Sequence, residues 1–200
     1  YIHIIEGENR QCVIVDPAEA QPVEMFLQNN DLTPIAILVT HHHWDHIGGI
    51  ESLKANHNLK VYGPSYDKHR IPGLEVEVSE GDEFQLLGET IQVKHVPGHT
   101  LGHIAYYWPE QNGLFIGDTL FAMGCGRLFE GTPEQMLKSL NWVKSLPPST
   151  SIYCAHEYTQ ANGRFALSVE PTNPDLIERM EKVKTLRKEN QPTLPTQLDV

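Results

Sequence analysis

The segment "THHHWDHIGG", residues 40–49, places four histidines and one aspartate within seven positions directly after a hydrophobic run. That run, "IAILV" at residues 35–39, is rich in β-branched side chains and predicts a buried strand. In an extended chain the side chains of His41 and His43 point to one side and that of His42 to the other. So many ligand-type side chains in two orientations, with Asp45 and His46 following as the chain turns, predict two adjacent metal ions.

Three further candidate ligands each follow a predicted strand. His99 comes after "IQVKHV", Asp118 after "GLFIG" and His156 after "SIYCA". One loop cannot complete two metal sites, so additional ligands are needed. A single histidine or aspartate more often has a structural role, and a solvated polar loop is the alternative for the cluster. The shared position at strand ends, beside small residues, is what predicts that these side chains converge.

Hydrolysis is the reaction class that this set predicts. Two divalent ions outweigh the negative charges of Asp45, Asp118 and a bridging hydroxide, so the site remains net positive. A metal ion lowers the pKa of bound water to about 7, which makes a metal-bridging hydroxide held by these ligands the expected nucleophile. The sequence suggests no serine or cysteine nucleophile.

The other histidines and the cysteine near these motifs are given ordinary roles. His103 follows His99 and is expected to contact the ligands rather than a metal ion. Cys125, in "GCGR", is expected to be a small packing residue, because the ligand set consists of imidazoles and carboxylates. The histidines without an expected role at the site are His3, His57, His69 and His95.

Composition limits the classes of protein that the chain can belong to. Its 200 residues, 40% hydrophobic, suffice for one domain with at most a small appendage. A net charge of −11 argues against a nucleic-acid partner, and no apolar run is long enough for a membrane span. Three widely separated cysteines predict a reducing compartment, so we expect a cytoplasmic protein. The chain starts at Tyr1, inside a predicted strand, and we expect a fragment or a processed form.

Short strands alternate with amphipathic helices along the chain. Strands are predicted for "YIHII" and "CVIVD" as a hairpin, for "KVYG", for residues 75–96 around turns at residues 81–82 and 88–89, and for "IAYYW" and "GLFIG" as a pair. Helices are predicted over residues 17–30, with Val23, Phe26 and Leu27 on one face, and over residues 47–58. A third helix is predicted after Thr132, with Met136, Leu137, Leu140 and Val143 on one face, and a last one after Asn173, with a stripe of Leu176, Ile177, Met180, Val183 and Leu186.

Together with "PGHT", "GDTLF", "GCGRLFEGT" and "CAHEYT", the histidine motif resembles glyoxalase II, the hydroxyacylglutathione hydrolase family of the metallo-β-lactamase superfamily. The resemblance runs from Tyr1 to about Pro195 and implies an α+β fold, an αββα sandwich with a two-metal site on one edge. It implies a catalytic domain at residues 1–165, followed at 166–200 by the start of a C-terminal helical segment that is otherwise absent.

The resemblance also implies a ligand set and a substrate. One metal ion takes His41, His43 and His99, the other takes Asp45, His46 and His156, and Asp118 bridges them. Zinc is our first choice of metal, with iron or manganese as alternatives. The implied reaction converts S-(R)-lactoylglutathione to lactate and glutathione in a monomeric enzyme. The implied glutathione contacts are Arg127, Phe129 and Tyr158.

Two features of the resemblance leave alternatives open. Phe129 stands where some family members have tyrosine, and members usually continue past Val200 into a segment whose basic residues help to hold glutathione. Either the sequence is partial or glutathione thioesters bind weakly and other thioesters are accepted. The rival functions are a persulfide dioxygenase with a single iron, a lactonase or β-lactamase, and a binding protein without activity.

Overall fold

The computed structural model describes residues 1–199, which form two main β-sheets with helices on their outer faces. The first sheet has five strands in sequential order, parallel except for an antiparallel first pair that confirms the predicted hairpin. Its strands are β1 (His3–Glu6), β2 (Gln11–Val15), β3 (Thr33–Leu38), β4 (Lys60–Pro64) and β5 (Val76–Val78).

The second sheet has six strands. They are β6 (Glu83–Leu86), β7 (Glu89–His95), β8 (Ile104–Trp108), β9 (Gly113–Gly117), β12 (Ser151–Cys154) and β13 (Thr196–Gln197). A separate ribbon consists of β10 (Leu120–Phe121) and β11 (Gly124–Cys125). Strands β6 to β9 form an antiparallel meander, and β12 lies parallel to β9. The predicted strand pair β8–β9 is therefore confirmed.

Six α-helices accompany the sheets in the described residues. They are α1 (Ala20–Asn30), α2 (Trp44–Ile47), α3 (Ile50–Asn56), α4 (Pro133–Lys144), α5 (Thr159–Val169) and α6 (Pro174–Lys188). No helix in this part of the chain is both long and apolar enough to reach across a lipid bilayer.

The alternation of side chains along the strands divides the interior into three hydrophobic cores. Val13 packs between the two sheets, whereas its neighbour Ile14 packs with residues of α1 and α3 on the outer face of the first sheet. In the second sheet Phe115 faces the first sheet, and Leu114 and Ile116 pack toward α4. Successive residues of a strand point to opposite faces, so two sheets that are each apolar on both faces need helices outside them. The layers are those of the expected αββα sandwich.

Helix α1 is shorter than predicted, because it begins at Ala20 rather than at residue 17. Val23 and Leu27 are buried, but Phe26, predicted on the same face, is 47% exposed. Neighbouring helical residues are about 100° apart, and a helix that lies flat on a sheet buries only one side. Phe26 instead lines a shallow groove beside Ile2 and Ile4.

The helix predicted over residues 47–58 is α3, which begins only at Ile50, and Gly48 and Gly49 separate it from the short helix α2, which was not predicted. The backbone of Gly49 packs against the start of α1, where a Cβ atom would lie 2.8 Å from the backbone nitrogen of Ala20. Only glycine permits this approach. Asp45 lies on α2, before the two glycines.

The start of α4 agrees with the prediction. Thr132 accepts a hydrogen bond from the backbone of Gln135, and the Gln135 side chain accepts one from the backbone of Thr132. Met136 and Val143 are buried, whereas Leu137 is 59% exposed and does not belong to the buried face.

Asn173 caps α6 as expected, through hydrogen bonds from the backbone of Asp175 and Leu176. Of the predicted stripe only Val183 is buried, and Ile177 is 45% exposed. Helix α5, which no sequence pattern predicted, packs against α6 and runs through the expected domain boundary at residues 165 and 166. That division of the chain stays a prediction.

Candidate metal centre

The candidate ligands lie at one edge of the sandwich because five strands end there. Asp16 follows β2, the histidine loop follows β3, His99 follows β7, Asp118 follows β9 and His156 follows β12. Strand β2 is parallel to β3, β9 is parallel to β12, and β7 has the same direction as β9 because β8 is antiparallel to both. The carboxyl ends of strands that share a direction meet at the same edge of their sheet.

Three histidines form the first group. His43 Nδ1 lies 3.1 Å from His41 Nε2 and 3.0 Å from His99 Nε2. His41 is fully buried and His99 is 4% exposed. The ring nitrogens of all three are close enough together to hold a single metal ion.

Asp45, His46 and His156 form the second group, which is also compact enough for one ion. Asp118 lies between the groups. Its Oδ1 is 3.4 Å from His46 Nε2, and its Oδ2 is 3.5 Å from His99 Nε2 and 3.2 Å from His156 Nε2. The structure thus brings together all seven side chains that the sequence analysis selected as ligands.

The donor atoms fit divalent metal ions. His46 Nε2 and Asp118 Oδ1 are buried and have no hydrogen-bond partner among the described residues. Leaving a buried polar group unpaired costs about 1–3 kcal/mol, so such atoms are rare unless they bind something. Imidazole nitrogens and carboxylate oxygens are also the ligands that divalent transition metals prefer.

Asp16 is a residue of the site that the sequence analysis missed. Its carboxylate accepts hydrogen bonds from the backbone and hydroxyl of Thr40 at 2.8 and 2.6 Å, and lies 2.9 Å from His46 Nδ1. It therefore directs His46 Nε2 toward Asp118, as carboxylates behind metal-binding histidines commonly do. The signal was present, because Asp16 ends the strand "CVIVD" just as Asp118 follows "GLFIG".

His103 lies behind the first group. Its ring stacks on His41 at 4.5 Å between centroids, and its Nε2 accepts a hydrogen bond of 3.1 Å from the backbone of Asp118. His103 thus contacts both a histidine of the first group and the strand end that carries Asp118.

Burial favours the neutral form of most histidines at the metal centre. Burial and the neighbouring imidazoles lower the pKa of His41 and His43, which favours the neutral form that binds metals. Burial acts in the same direction on His46, but Asp16 and Asp118 outweigh it and raise the pKa of His46 to about 10. Burial opposes ionisation of Asp118, yet the imidazoles of His156 and His46 beside it hold its pKa well below the usual range.

A cavity of about 560 Å³ opens over the two groups. Arg127, Phe129 and Tyr158, the expected substrate contacts, all line it and are exposed. Phe129 packs edge-on against the rings of His43 and His99. Tyr158 stacks on His156 at 5.0 Å between ring centroids. The metal groups therefore form the floor of an aromatic-walled pocket with a guanidinium at its rim.

The other residues that the sequence analysis considered lie outside the seven-residue set. Cys125 is exposed, and no group of candidate metal ligands in the described residues includes it. His3 packs against Phe115 and Tyr153, and His57 is 2.8 Å from Glu24.

Comparison with known families agrees with this geometry. The family model of the metallo-β-lactamase superfamily matches residues 1–156, and that of the hydroxyacylglutathione hydrolase C-terminus matches residues 157–200. A hydroxyacylglutathione hydrolase of Synechococcus sp. is 52% identical over 98% of the chain and 79% of its own length. The chain belongs to the hydroxyacylglutathione hydrolase family.

Other members of the hydroxyacylglutathione hydrolase family show the same level of likeness. Those of Ectopseudomonas mendocina and Vibrio parahaemolyticus are 48% and 51% identical and align with 100% and 99% of the chain. The alignments cover 78% and 77% of these two relatives.

Solved structures place the family in its superfamily. The BLEG-1 B3 metallo-β-lactamase has a TM-score of 0.71 at 28% identity and covers 76% of this chain and 84% of its own. ETHE1 from Myxococcus xanthus has a TM-score of 0.70 at 30% identity and covers 100% of this chain and 90% of its own. TTHA1623, solved in a di-iron-bound form, has a TM-score of 0.67 at 32% identity and covers 78% of this chain and 86% of its own. The family and its histidine and aspartate groups support the use of divalent metal ions.

Proposed function

We propose that this site hydrolyses S-(R)-lactoylglutathione and related glutathione thioesters to a hydroxy acid and glutathione. The observation that carries the proposal is the convergence of two three-residue donor groups around Asp118, beneath a pocket with a basic rim. The hydroxyacylglutathione hydrolases that align over nearly the whole chain support the same reaction.

In this proposal each of the two groups would hold one divalent metal ion, and the Asp118 carboxylate lies beside both groups. When bound, such ions act as Lewis acids and lower the pKa of coordinated water to about 7. Zinc is our first choice, because imidazole and carboxylate ligands suit it. The di-iron form of TTHA1623 supports iron as an alternative, and manganese is the third candidate.

The side chains around the metal groups have separate tasks. Asp16 and the backbone carbonyl of Arg127 fix the rings of His46 and His99, so that their Nε2 atoms face Asp118. The Arg127 guanidinium, at the rim, suits a glutathione carboxylate. Phe129 and Tyr158 provide apolar walls that limit the access of water.

Thioester hydrolysis needs little help with its leaving group. The oxygen of water bonds to the acyl carbon, the carbon–sulfur bond breaks, and glutathione leaves as a thiolate, which then takes up a proton from that water. A thiol pKa near 8.5 makes the thiolate a good leaving group, so a dedicated general acid is not required. The pocket lining agrees with this chemistry, because its titratable groups are the metal-group residues, Arg127 and Tyr158.

Three finer proposals accompany the activity. We place the enzyme in the cytoplasm, because all three cysteines are free, as expected in a reducing compartment. We propose a monomer, since one chain supplies both donor groups and the pocket lining. We also propose that residues 1–165 form the catalytic unit and that residues 166–200 begin a C-terminal helical segment.

The test is an assay of purified protein with S-(R)-lactoylglutathione, with metal content measured by mass spectrometry on the same sample. We expect thiol release and two metal ions per chain. His43→Ala should abolish hydrolysis and lower the metal content, because His43 Nδ1 faces two other donors. Unchanged hydrolysis in His43→Ala would rule the proposal out. One iron per chain, with oxygen consumed on glutathione persulfide, would instead favour a persulfide dioxygenase.

A further inference from the structure

Four charged or titratable side chains outside the two metal groups contact one another beside the pocket. They are His42, Asp67, Arg70 and Glu130, here called the loop cluster. His42 lies between two candidate ligands but points away from them, with its Nδ1 3.1 Å from Asp67 Oδ2. The Asp67 side chain is fully buried. A buried carboxylate is costly without a cationic or hydrogen-bonding partner, so this placement needs an explanation.

Arg70 and Glu130 extend the loop cluster to the surface. Arg70 Nη1 donates to Asp67 Oδ1 at 3.3 Å, and Arg70 Nη2 donates to Glu130 Oε1 at 2.8 Å. The second oxygen of Glu130 accepts a hydrogen bond of 2.9 Å from the backbone of Leu101. His42 Nε2 is 3.7 Å from Glu130 Oε1. The cluster therefore connects the histidine loop, the segment after β4 and the loop at residues 126–131.

The loop at residues 126–131 carries the side chains that line the pocket rim. Its backbone is attached to His99, because His99 Nδ1 lies 2.8 Å from the carbonyl of Arg127 and the His99 carbonyl accepts from the amide of Phe129 at 3.2 Å. Phe129 packs against His43, and Glu130 adds a polar connection to the histidine loop through Arg70 and Asp67.

We infer that the loop cluster positions the loop at residues 126–131, so that Arg127 and Phe129 are held over the metal groups for substrate binding. The inference rests on the proposed function, since it assumes that these two side chains contact a glutathione thioester. Gly102 contributes space, because a Cβ atom there would collide with the Asp67 carboxylate. The members of the loop cluster are positioning residues and do not touch the reacting atoms.

The test compares Arg70→Met with Lys68→Met. Arg70 holds both carboxylates of the loop cluster, whereas Lys68 is two residues away and forms an exposed ion pair with Glu77 at 3.5 Å. Both variants remove one positive charge from the same segment and keep an unbranched side chain. If Arg70→Met does not fold, Arg70→Lys serves instead, since it retains the charge but cannot make both contacts.

In a thioester assay we expect Arg70→Met to raise KM about tenfold and to leave kcat within about twofold, because only binding contacts move. Metal content should stay at the wild-type value, and Lys68→Met should match the wild type. Glu130→Gln should raise KM by a similar factor. The double variant Arg70→Met/Glu130→Gln should show no further increase in KM, because both changes affect the same contact between Arg70 and Glu130.

Trypsin provides a readout that needs no substrate. Arg127 is exposed, and cleavage after it requires the loop to open. We expect cleavage at residues 127–128 about tenfold faster in Arg70→Met than in Lys68→Met, since local opening controls proteolysis. Unchanged KM and cleavage rate in Arg70→Met would overturn the inference, and so would a fall in kcat and metal content at constant KM. If the wild type does not hydrolyse the thioester, the proposed function fails, whereas the trypsin comparison still decides whether the cluster holds the loop.

Discussion

Replacing Asp16 by asparagine tests whether the carboxylate behind His46 controls metal binding. Asp16 is 2% exposed, and its Oδ2 lies 2.6 Å from the Thr40 hydroxyl and 2.9 Å from His46 Nδ1. Asparagine has the same shape and can keep the 2.8 Å hydrogen bond from the Thr40 amide through its carbonyl oxygen. Its NH₂ group, however, then faces His46 Nδ1, which carries a hydrogen when Nε2 binds a metal ion. Two donors face each other, and His46 loses its acceptor.

The expected loss of metal affinity follows from the contact between Asp16 and His46. A hydrogen bond to a charged group contributes about 1.5–3 kcal/mol, and one tenfold change in affinity corresponds to about 1.4 kcal/mol. Asp16→Asn should therefore weaken metal binding at the group of Asp45, His46 and His156 by about 10- to 100-fold, the range known for such supporting carboxylates. The group of His41, His43 and His99 should be less affected, because Asp16 is hydrogen-bonded to none of its members.

Zinc titration against a chromophoric chelator at neutral pH measures both affinities in the metal-free protein. Asp82→Asn is the matched control, since Asp82 is exposed and accepts a hydrogen bond of 2.7 Å from Ser79 in a turn outside the site. If Asp16→Asn binds both zinc ions within twofold of the wild type, the reasoning about His46 is refuted.

Three further outcomes are expected. Arg127→Met should raise KM for lactoylglutathione about tenfold at nearly constant kcat, because it removes a charge at the pocket rim that binds substrate without touching the reacting carbon. Equal KM values for Arg127→Met and the wild type would exclude a glutathione contact of Arg127. Thr132→Ala should lower the free energy of unfolding by about 1 kcal/mol in urea denaturation through loss of the cap of α4, with activity unchanged. Iodoacetamide should label Cys125 in the native protein near pH 8 but not Cys12 or Cys154. Burial raises the pKa of the Cys12 and Cys154 thiols to about 11, and their thiolates form only as the pH approaches that value. Equal labelling of all three cysteines, measured by mass spectrometry, would contradict the buried positions.

Local patterns predicted much of the fold. The cap at Thr132 and Gln135 gave the start of α4, because capping depends on residues three apart. The predictions failed where distant packing decides, as at Phe26, which has helical spacing but stays exposed beside Ile2 and Ile4. The split between α2 and α3 likewise depends on the approach of α1 to Gly49, a contact between segments about 30 residues apart.

The sequence by itself determined which side chains are available as metal ligands and that they follow strands, because both are properties of short segments. Only the tertiary structure decided how they meet: the shared strand direction brings His99, Asp118 and His156 to the edge that holds the histidine loop. It also decided which carboxylate stands behind His46, since Asp16 is 30 residues away in sequence and adjacent only because β2 and β3 pair. Direction and pairing of strands are set by packing between segments, which local patterns do not encode.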